Sequence, residues 1–186
     1  MRREVRIIGG QWKRTKLPVS DAPGLRPTPD RVRETVFNWL GQALTGWRCL
    51  DAFAGSGALG FEAASRGAVE VVLIERDRRL AVGLAAVKQR LGATGLRVEN
   101  ADALAWMARC TPSSFELVFI DPPFDAQLME PALAAAARLT VPTGLVYAES
   151  GEPLGASVLQ LQGLAIHRQG RAGAVHFHLL RHADPA

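Results

Sequence analysis

The sequence lacks long apolar runs, paired cysteines, internal repeats and low-complexity tracts. None of its apolar runs approaches the roughly 20 residues that a membrane-spanning helix requires. The two cysteines, Cys49 and Cys110, form no CxxC pair and no disulfide framework, which is typical of a reducing compartment. The basic first residues carry no apolar stretch like that of a secretory signal. We therefore expect a cytoplasmic protein without membrane contacts.

The overall composition is that of an ordinary globular protein. The 186 residues are 48% hydrophobic and 22% charged, which excludes a wholly disordered chain and a fibrous repeat. Their number leaves no room for a separate large substrate domain.

Positive charge is concentrated at the N-terminal end. The first 48 residues carry ten Lys or Arg against four acidic residues, a net charge of +6, so the rest of the chain sums to −2. A basic segment on a near-neutral body is typical of a protein that binds a polyanion, although a merely solvated face has the same composition.

Residues 1–46 are predicted to form a hairpin followed by a helix. Apolar residues flank Gly9 and Gly10, and the intervening tip carries Lys13 and Arg14. Thr28 is predicted to cap the helix, with Pro29 at its first position. One face of that helix repeats apolar residues every four positions: Val32, Val36, Leu40 and Leu44.

From residue 47 onward, apolar runs alternate with helical patterns, as parallel βαβ units require. The predicted strands are Cys49–Phe53, Val69–Ile74, Leu96–Val98, Leu117–Ile120 and Leu145–Ala148. Helices are predicted at 61–66, 80–91, after residue 102 and at 128–139. Near the C-terminal end, the alternating segments 158–161 and 175–180 predict an antiparallel hairpin. The fold class is therefore α/β, with a doubly wound, mostly parallel sheet.

A glycine-rich loop follows the first predicted strand of this sheet. Gly55, Gly57 and Gly60 match the pattern G-x-G-x-x-G, and Glu75 lies 20 residues beyond Gly55. This pattern is typical of a site for a nucleoside cofactor, with the acid on the ribose.

The acidic residues around the loop bear on which cofactor binds. Asp51 precedes the loop and would repel a pyrophosphate, but it would attract the ammonium and sulfonium groups of S-adenosylmethionine. Glu75 can accept both ribose hydroxyls, or it is a surface carboxylate paired with Arg76 or Arg78. Asp102 can accept from the adenine amino group, cap the following helix, or do both.

The fourth predicted strand ends in Asp121-Pro122-Pro123-Phe124. Two prolines cannot continue an interior strand, so they fix a stiff turn at the sheet edge where α/β folds bind ligands. There, Asp121 and the Pro122 carbonyl can accept the two N–H groups of an exocyclic amine while Phe124 stacks on a flipped base. Proximity and orientation then supply the catalysis, without a metal.

These motifs, with the segments 6–14, 25–40 and 62–68, resemble the RsmD family, bacterial methyltransferases of guanine N2 in small-subunit ribosomal RNA. The resemblance covers nearly all of the chain to about residue 149. It implies a Rossmann-like class I methyltransferase fold with a seven-stranded sheet in residues 47–186, and an RNA-binding extension in residues 1–46. It also implies ribosomal RNA as the partner, within an assembling small subunit, S-adenosylmethionine as the cofactor and no metal. The residues expected to bind cofactor are Asp51, Phe53, Gly55, Gly57, Glu75, Arg76, Asp102 and Ala103. The expected catalytic residues are Asp121, Pro122 and Phe124, and the expected RNA contacts are Lys13, Arg14, Lys16 and Arg26.

Three other functions fit parts of the sequence. An adenine-N6 methyltransferase would use the same Asp-Pro-Pro-Phe motif, but it usually needs an additional target-recognition segment. An NAD-dependent oxidoreductase would need a substrate domain and a proton-transfer residue. A non-catalytic RNA-binding module could have the same fold without the activity, because a fold does not establish a function. His176, His178 and His182 are interpreted as strand residues rather than as metal ligands.

Overall fold

The computed structural model describes residues 4–19, 28–123 and 127–183. Within these ranges the strands are β1 (Glu4–Arg6), β2 (Lys16–Pro18), β3 (Arg48–Asp51), β4 (Glu70–Ile74), β5 (Leu96–Glu99), β6 (Phe115–Ile120), β7 (Thr140–Ser150), β8 (Leu164–Ala172) and β9 (Val175–His182). The helices are α1 (Asp30–Trp39), α2 (Ala58–Ser65), α3 (Arg78–Leu91), α4 (Ala103–Ala108), α5 (Met129–Leu139) and α6 (Ala156–Leu161).

Seven strands form one sheet in the order β5-β4-β3-β6-β7-β9-β8. The first five are parallel, and β9 runs antiparallel to both of its neighbours. This arrangement confirms the predicted doubly wound sheet with a C-terminal hairpin. The chain reverses its direction of winding between β3 and β6, and ligands of open α/β sheets bind beyond the carboxyl ends of the strands at such a point.

Each face of the sheet is covered by its own apolar core. On one face, α1, α2, α3 and the β1–β2 hairpin form a cluster that includes Ile7, Leu17, Phe37 and Phe61. On the other face, α4, α5 and α6 contribute residues such as Met107 and Leu133. The side chains of the N-terminal hairpin therefore pack in the same core as the central strands.

The segment predicted as the first strand of the C-terminal hairpin is instead the helix α6, with Gly155 as its N-cap. Only Leu159 of this helix is buried, whereas Leu161 is 83% exposed. A short run of apolar and polar residues fits either periodicity, and β9 pairs with β8, which begins at Leu164. The hairpin prediction was thus right for residues 175–180, which lie in β9, and wrong for 158–161, because the partner strand is β8.

Two predicted helix starts were also wrong. The N-cap of α1 is Pro29 rather than Thr28, and no side chain caps it. The helix after the glycine loop begins at Ala58 rather than at 61, because Gly57 serves as its N-cap with φ of +74°, a conformation that side chains disfavour. Among the described residues, no helix is long and apolar enough to cross a membrane.

Candidate active site

Three acidic residues lie at the carboxyl ends of β3, β6 and β7. Asp51 pairs with Phe119, which in turn pairs with Tyr147. Asp121 and Glu149 each lie two residues beyond these partners. Because side chains alternate along a strand, the three carboxyls point to the same face of the sheet. They converge at the topological switch point between β3 and β6.

In this carboxyl cluster (Asp51, Asp121 and Glu149), two members are buried and Asp121 is half-buried. Asp51 is 2% exposed and Glu149 is 4% exposed. The Asp51 Oδ2 atom accepts from the Gly60 N–H at 3.0 Å. The Glu149 Oε1 atom accepts from the Thr28 hydroxyl at 2.7 Å and from the Tyr147 hydroxyl at 2.8 Å.

No ion pair in the described parts of the chain involves a member of the carboxyl cluster. Burial raises the pKa of Asp51 to about 7, against the lowering effect of the Gly60 N–H. Burial, then the charges of Glu149 and Asp51, raise the pKa of Asp121 well above its usual value. Burial also raises the pKa of Glu149, and the two hydroxyl donors oppose that shift. A buried negative charge without a partner is costly, so the cluster is suited to receive a cation.

The glycine loop connects Asp51 to α2 and lies beside Glu75. A Cβ atom on Gly60 would stand 2.1 Å from the Leu73 side chain, so only glycine lets the helix pack this closely on β4. The Gly55 N–H donates to Glu75 Oε2 at 2.9 Å, and the Asp77 N–H donates to Oε1 at 2.7 Å. Both Glu75 oxygens keep further acceptor capacity, and neither Arg76 nor Arg78 forms a described ion pair with it.

The other predicted cofactor residues surround this loop. The Asp102 Oδ1 atom accepts from the Ala105 N–H at 2.9 Å, which makes Asp102 the N-cap of α4. Ala103, the first residue of that helix, is buried. Phe53 is half-buried against the core on the α4 side, and Arg76 is exposed. Capping by Asp102 leaves its second oxygen available to a ligand.

Several predicted functional residues lie away from the carboxyl cluster or outside the described residues. Pro122 is buried directly after Asp121, whereas Phe124 and Arg26 fall outside the described ranges. Lys13 and Arg14 are exposed on the turn between β1 and β2. Lys16 lies on β2, where its Nζ atom is 2.7 Å from a Glu4 carboxylate oxygen.

Glu149 and Thr28 were missed by the sequence reasoning. Glu149 carries the same signal as Asp51 and Asp121, since each acid directly follows a run of apolar strand residues. Applied to the Leu145–Ala148 run, that rule would have found it. Thr28 carried no comparable signal, because its contact with Glu149 spans 121 residues of sequence.

The raised pKa of Asp51 predicts how folding stability depends on pH. The folded protein binds the Asp51 proton more tightly than the unfolded chain does, so the contribution of this residue to stability falls as pH rises from about 4 to about 7. Between pH 5 and pH 8, the wild type should lose about 2–3 kcal/mol more than Asp51→Asn, in which the amide oxygen still accepts from Gly60. Urea unfolding at both pH values measures this difference, and parallel losses would contradict it.

The described residues contain no cluster of histidine, cysteine and acidic side chains that could hold a metal ion. The His178 ring is buried, and its Nε2 atom accepts from the Leu154 N–H at 3.3 Å. That contact makes His178 part of the packing between β9 and the loop after β7.

Comparison with known proteins places the whole arrangement in one family. The model of the family described as Conserved hypothetical protein 95 matches residues 5–181. "Ribosomal RNA small subunit methyltransferase D" of Escherichia coli K12 is 44% identical over 183 residues, which cover 95% of this chain and 89% of the relative. The protein of the same name from Haemophilus influenzae is 43% identical over 152 residues, or 79% of each chain.

Solved structures agree with this assignment. A structure from Escherichia coli has a TM-score of 0.83 and 42% identity, with 97% of this chain and 99% of that one covered. A precorrin-6y C5,15-methyltransferase of Geobacter metallireducens has a TM-score of 0.70 at 14% identity, covers 89% of this chain and 94% of its own, and supports the fold alone. The match over residues 5–181 and the identities above 40% show that this chain belongs to the Conserved hypothetical protein 95 family, with the relatives named ribosomal RNA small subunit methyltransferase D.

Proposed function

We propose that this protein transfers a methyl group from S-adenosylmethionine to the exocyclic N2 amine of a guanine in small-subunit ribosomal RNA. The observation that carries the proposal is the carboxyl cluster, which lies beside a nucleoside-binding glycine loop and has no cationic partner among the described residues. A cationic nucleoside supplies the missing positive charge, whereas a pyrophosphate would add further negative charge.

The residues around the loop fit S-adenosylmethionine. Asp51 faces the ammonium end of the cofactor, and Glu75 accepts from the ribose hydroxyls with its remaining lone pairs. The free oxygen of Asp102 accepts from the adenine amino group. The other residues assigned to line the cofactor site are Phe53, Gly55, Gly57, Arg76 and Ala103. When bound, the cofactor supplies an electrophilic methyl group.

Asp121 and Pro122 orient the amine that receives the methyl group. The lone pair of an exocyclic amine is delocalised into the base, so the amine is a poor nucleophile. Acceptance of its two N–H groups by the Asp121 carboxylate and the Pro122 carbonyl favours a pyramidal nitrogen that points at the methyl group. Stacking of Phe124 on the base remains a prediction from the sequence.

The choice of substrate rests on the relatives and on the charge of the N-terminal hairpin. The relatives from Escherichia coli and Haemophilus influenzae are named for methylation of small-subunit ribosomal RNA, and the family resemblance implies guanine N2. Exposed Lys13 and Arg14 suit contacts with the RNA backbone. An assembling small subunit in the cytoplasm is the proposed setting.

The function is tested with labelled S-adenosylmethionine and small subunits or their RNA from cells that lack the protein. Nucleoside mass spectrometry should detect N2-methylguanosine that depends on the added protein. N6-methyladenosine would instead support the adenine methyltransferase. In calorimetry, S-adenosylmethionine should bind and NAD should not, and tight NAD binding would contradict the cofactor assignment.

The hairpin turn should contribute to RNA affinity through counterion release. Replacing Lys13 and Arg14 by alanine should weaken RNA binding and reduce the salt slope by roughly 0.7 for each phosphate of single-stranded RNA that is no longer neutralised. Lys16 is left in place because it is paired with Glu4. Binding is measured by fluorescence anisotropy over a series of salt concentrations.

Arg109 and Arg168 provide the matched control for this double substitution. Both are exposed and form no described ion pair, and they lie at the end of α4 and on the edge strand β8, outside the hairpin. Replacing these two by alanine removes the same charge but should leave the salt slope unchanged. Equal effects of the two double variants would mean that only the total charge matters.

A further inference from the structure

Glu149 and Asp121 form a pair of neighbouring carboxyls. Ile120 and Ala148 are paired in the register of β6 and β7, and the two acids follow them directly. Both described hydrogen bonds to Glu149, from Thr28 and Tyr147, reach the same oxygen, Oε1. Within the described ranges, no hydrogen-bond donor contacts the Asp121 carboxyl. The Oε2 atom of Glu149 and the Asp121 carboxyl are therefore available to contact each other and to bind a ligand.

Among the described residues, the surroundings of the pair supply no compensating cation. Asp51 faces it from β3, Tyr147 from β7, and Phe177 lies opposite Glu149 on β9. From α1, Arg33 reaches the Thr28 carbonyl at 3.2 Å, but its terminal nitrogens contact Asp30 and Glu62. Two neighbouring carboxyls of which one is buried and the other half-buried, with no described counter-charge, do not both ionise readily near neutral pH.

We propose that Glu149 is a positioning residue that acts through Asp121: the two carboxyls share one proton in the empty site, and that proton leaves when a cationic cofactor binds. This inference rests on the proposed methyl transfer and adds a role that the comparisons do not assign. It explains why a buried glutamate is held by two hydroxyl groups beside the residue that orients the amine.

The hydroxyl donors determine which member of the pair keeps the proton. Hydrogen bonds from Thr28 and Tyr147 stabilise the ionised form of Glu149, so the proton resides on Asp121. Consistent with this, the charge of Glu149 contributes to raising the pKa of Asp121. An Asp121 carboxyl that carries a proton is a weak acceptor for an amine, and the site therefore becomes competent only after cofactor binding.

The proton balance closes over one reaction cycle. On cofactor binding, the Asp121 O–H bond breaks and the proton passes to solvent. Methyl transfer would form an N–C bond and break the S–C bond of the sulfonium, which would leave as the neutral thioether S-adenosylhomocysteine, and the positive charge would move to the methylated amine. That amine then loses a proton, whose new O–H bond forms at Asp121, and the resting state of the pair is restored.

The shared proton is tested first on the protein alone, by 13C NMR titration of its carboxyl groups. In the wild type, the Asp121–Glu149 pair should titrate in two separated steps. In Glu149→Gln, whose amide oxygen still accepts from both hydroxyls, Asp121 should titrate in one step at least one pH unit lower. The exposed Glu152→Gln is the matched control and should leave Asp121 unchanged. An Asp121 titration that is the same in wild type and Glu149→Gln overturns the proposal.

A second variant keeps the test decisive if Glu149→Gln does not fold. Tyr147→Phe removes one donor to Glu149 and no charge, so the first ionisation of the pair should move to higher pH. An unchanged first ionisation overturns the proposal as well.

Proton release is tested by calorimetry with S-adenosylmethionine near neutral pH in two buffers of different ionisation enthalpy. The wild type should release a measurable fraction of a proton, and Glu149→Gln should release clearly less. The acid limb of the kcat profile should also move to lower pH in this variant, which a merely structural role would not cause. Equal proton release by both proteins overturns the proposal. If S-adenosylmethionine does not bind, both the proposed function and the proton release on cofactor binding are overturned. The NMR titration of the protein alone still tests whether Asp121 and Glu149 share a proton.

Discussion

Replacing Asp121 by alanine is expected to lower kcat on the order of 10²–10³-fold, the loss found when one preorganised polar group is removed from an active site. Asp121 stands at the end of β6 beside the buried Pro122, where its carboxylate can accept from the target amine. The loss belongs to the chemical step, because this interaction is made in full only as the nitrogen becomes pyramidal. Single-turnover kinetics with saturating RNA and cofactor measures it.

Cofactor binding separates this effect from a general disruption of the site. Because the proposed carboxyl pair keeps its proton on Asp121 in the absence of cofactor, S-adenosylmethionine affinity in Asp121→Ala should change by no more than about 1 kcal/mol, or roughly fivefold. Asp121→Asn keeps one acceptor oxygen without the charge and should fall between the wild type and the alanine variant. Near-normal kcat in Asp121→Ala would exclude amine activation by this residue.

The parts of the fold that the sequence predicted are those set by local patterns. The runs Val71–Ile74 and Leu117–Ile120 are continuous and apolar because both faces of the parallel sheet are covered. The helix predicted to end at residue 91 does so, and it is followed by Gly92 with φ of +61°. Asp51 and Asp121 could be found because glycines or prolines follow their strands, and Glu75 because it lies 20 residues beyond Gly55.

The contacts that could not be predicted join residues far apart in the sequence. Thr28 has the local chemistry of a helix cap, but its hydroxyl donates to Glu149 across 121 residues. A hydrogen bond in a buried site is stronger than one at an exposed helix end, so the tertiary contact replaced the local one. The same limit applied to residues 158–161, which lie in a helix whose one buried residue is Leu159.

Glu62 is the second buried acid that its local pattern did not reveal. It lies in α2 among small apolar residues and is fully buried. Its carboxylate accepts from the N–H groups of Ile8 and Gly9, both at 2.8 Å, and from Arg33 at 3.2 Å and Arg66 at 2.8 Å. One side chain thus joins the N-terminal hairpin, α1 and α2.

The hairpin approaches α2 closely at this point. A Cβ atom on Gly10, whose φ is +73°, would stand 1.8 Å from the Ser65 carbonyl oxygen. The Gln11 N–H donates to that same oxygen at 2.8 Å. The placement of Lys13 and Arg14 relative to the sheet therefore depends on the network around Glu62, which connects the proposed RNA contacts to the catalytic part of the molecule.

Replacing Glu62 by alanine should consequently reduce the free energy of unfolding by about 3–5 kcal/mol, the cost of leaving one member of a buried ion pair without its partner. Arg33 is fully buried and would keep Asp30 as its remaining described ion-pair partner, while the N–H groups of Ile8 and Gly9 would lose their acceptor. Urea unfolding at neutral pH measures the change.

The exposed pair of Glu70 and Arg97, 3.0 Å apart, gives the matched control. Glu70→Ala removes the same charge from the surface and should cost no more than about 1 kcal/mol. At urea concentrations below the global transition, trypsin should cleave Glu62→Ala after Lys13 or Arg14 faster than it cleaves the wild type or Glu70→Ala, because the hairpin has lost its anchor. Equal unfolding free energies and equal cleavage rates would show that apolar packing of Ile7 and Leu17 holds the hairpin in place without Glu62.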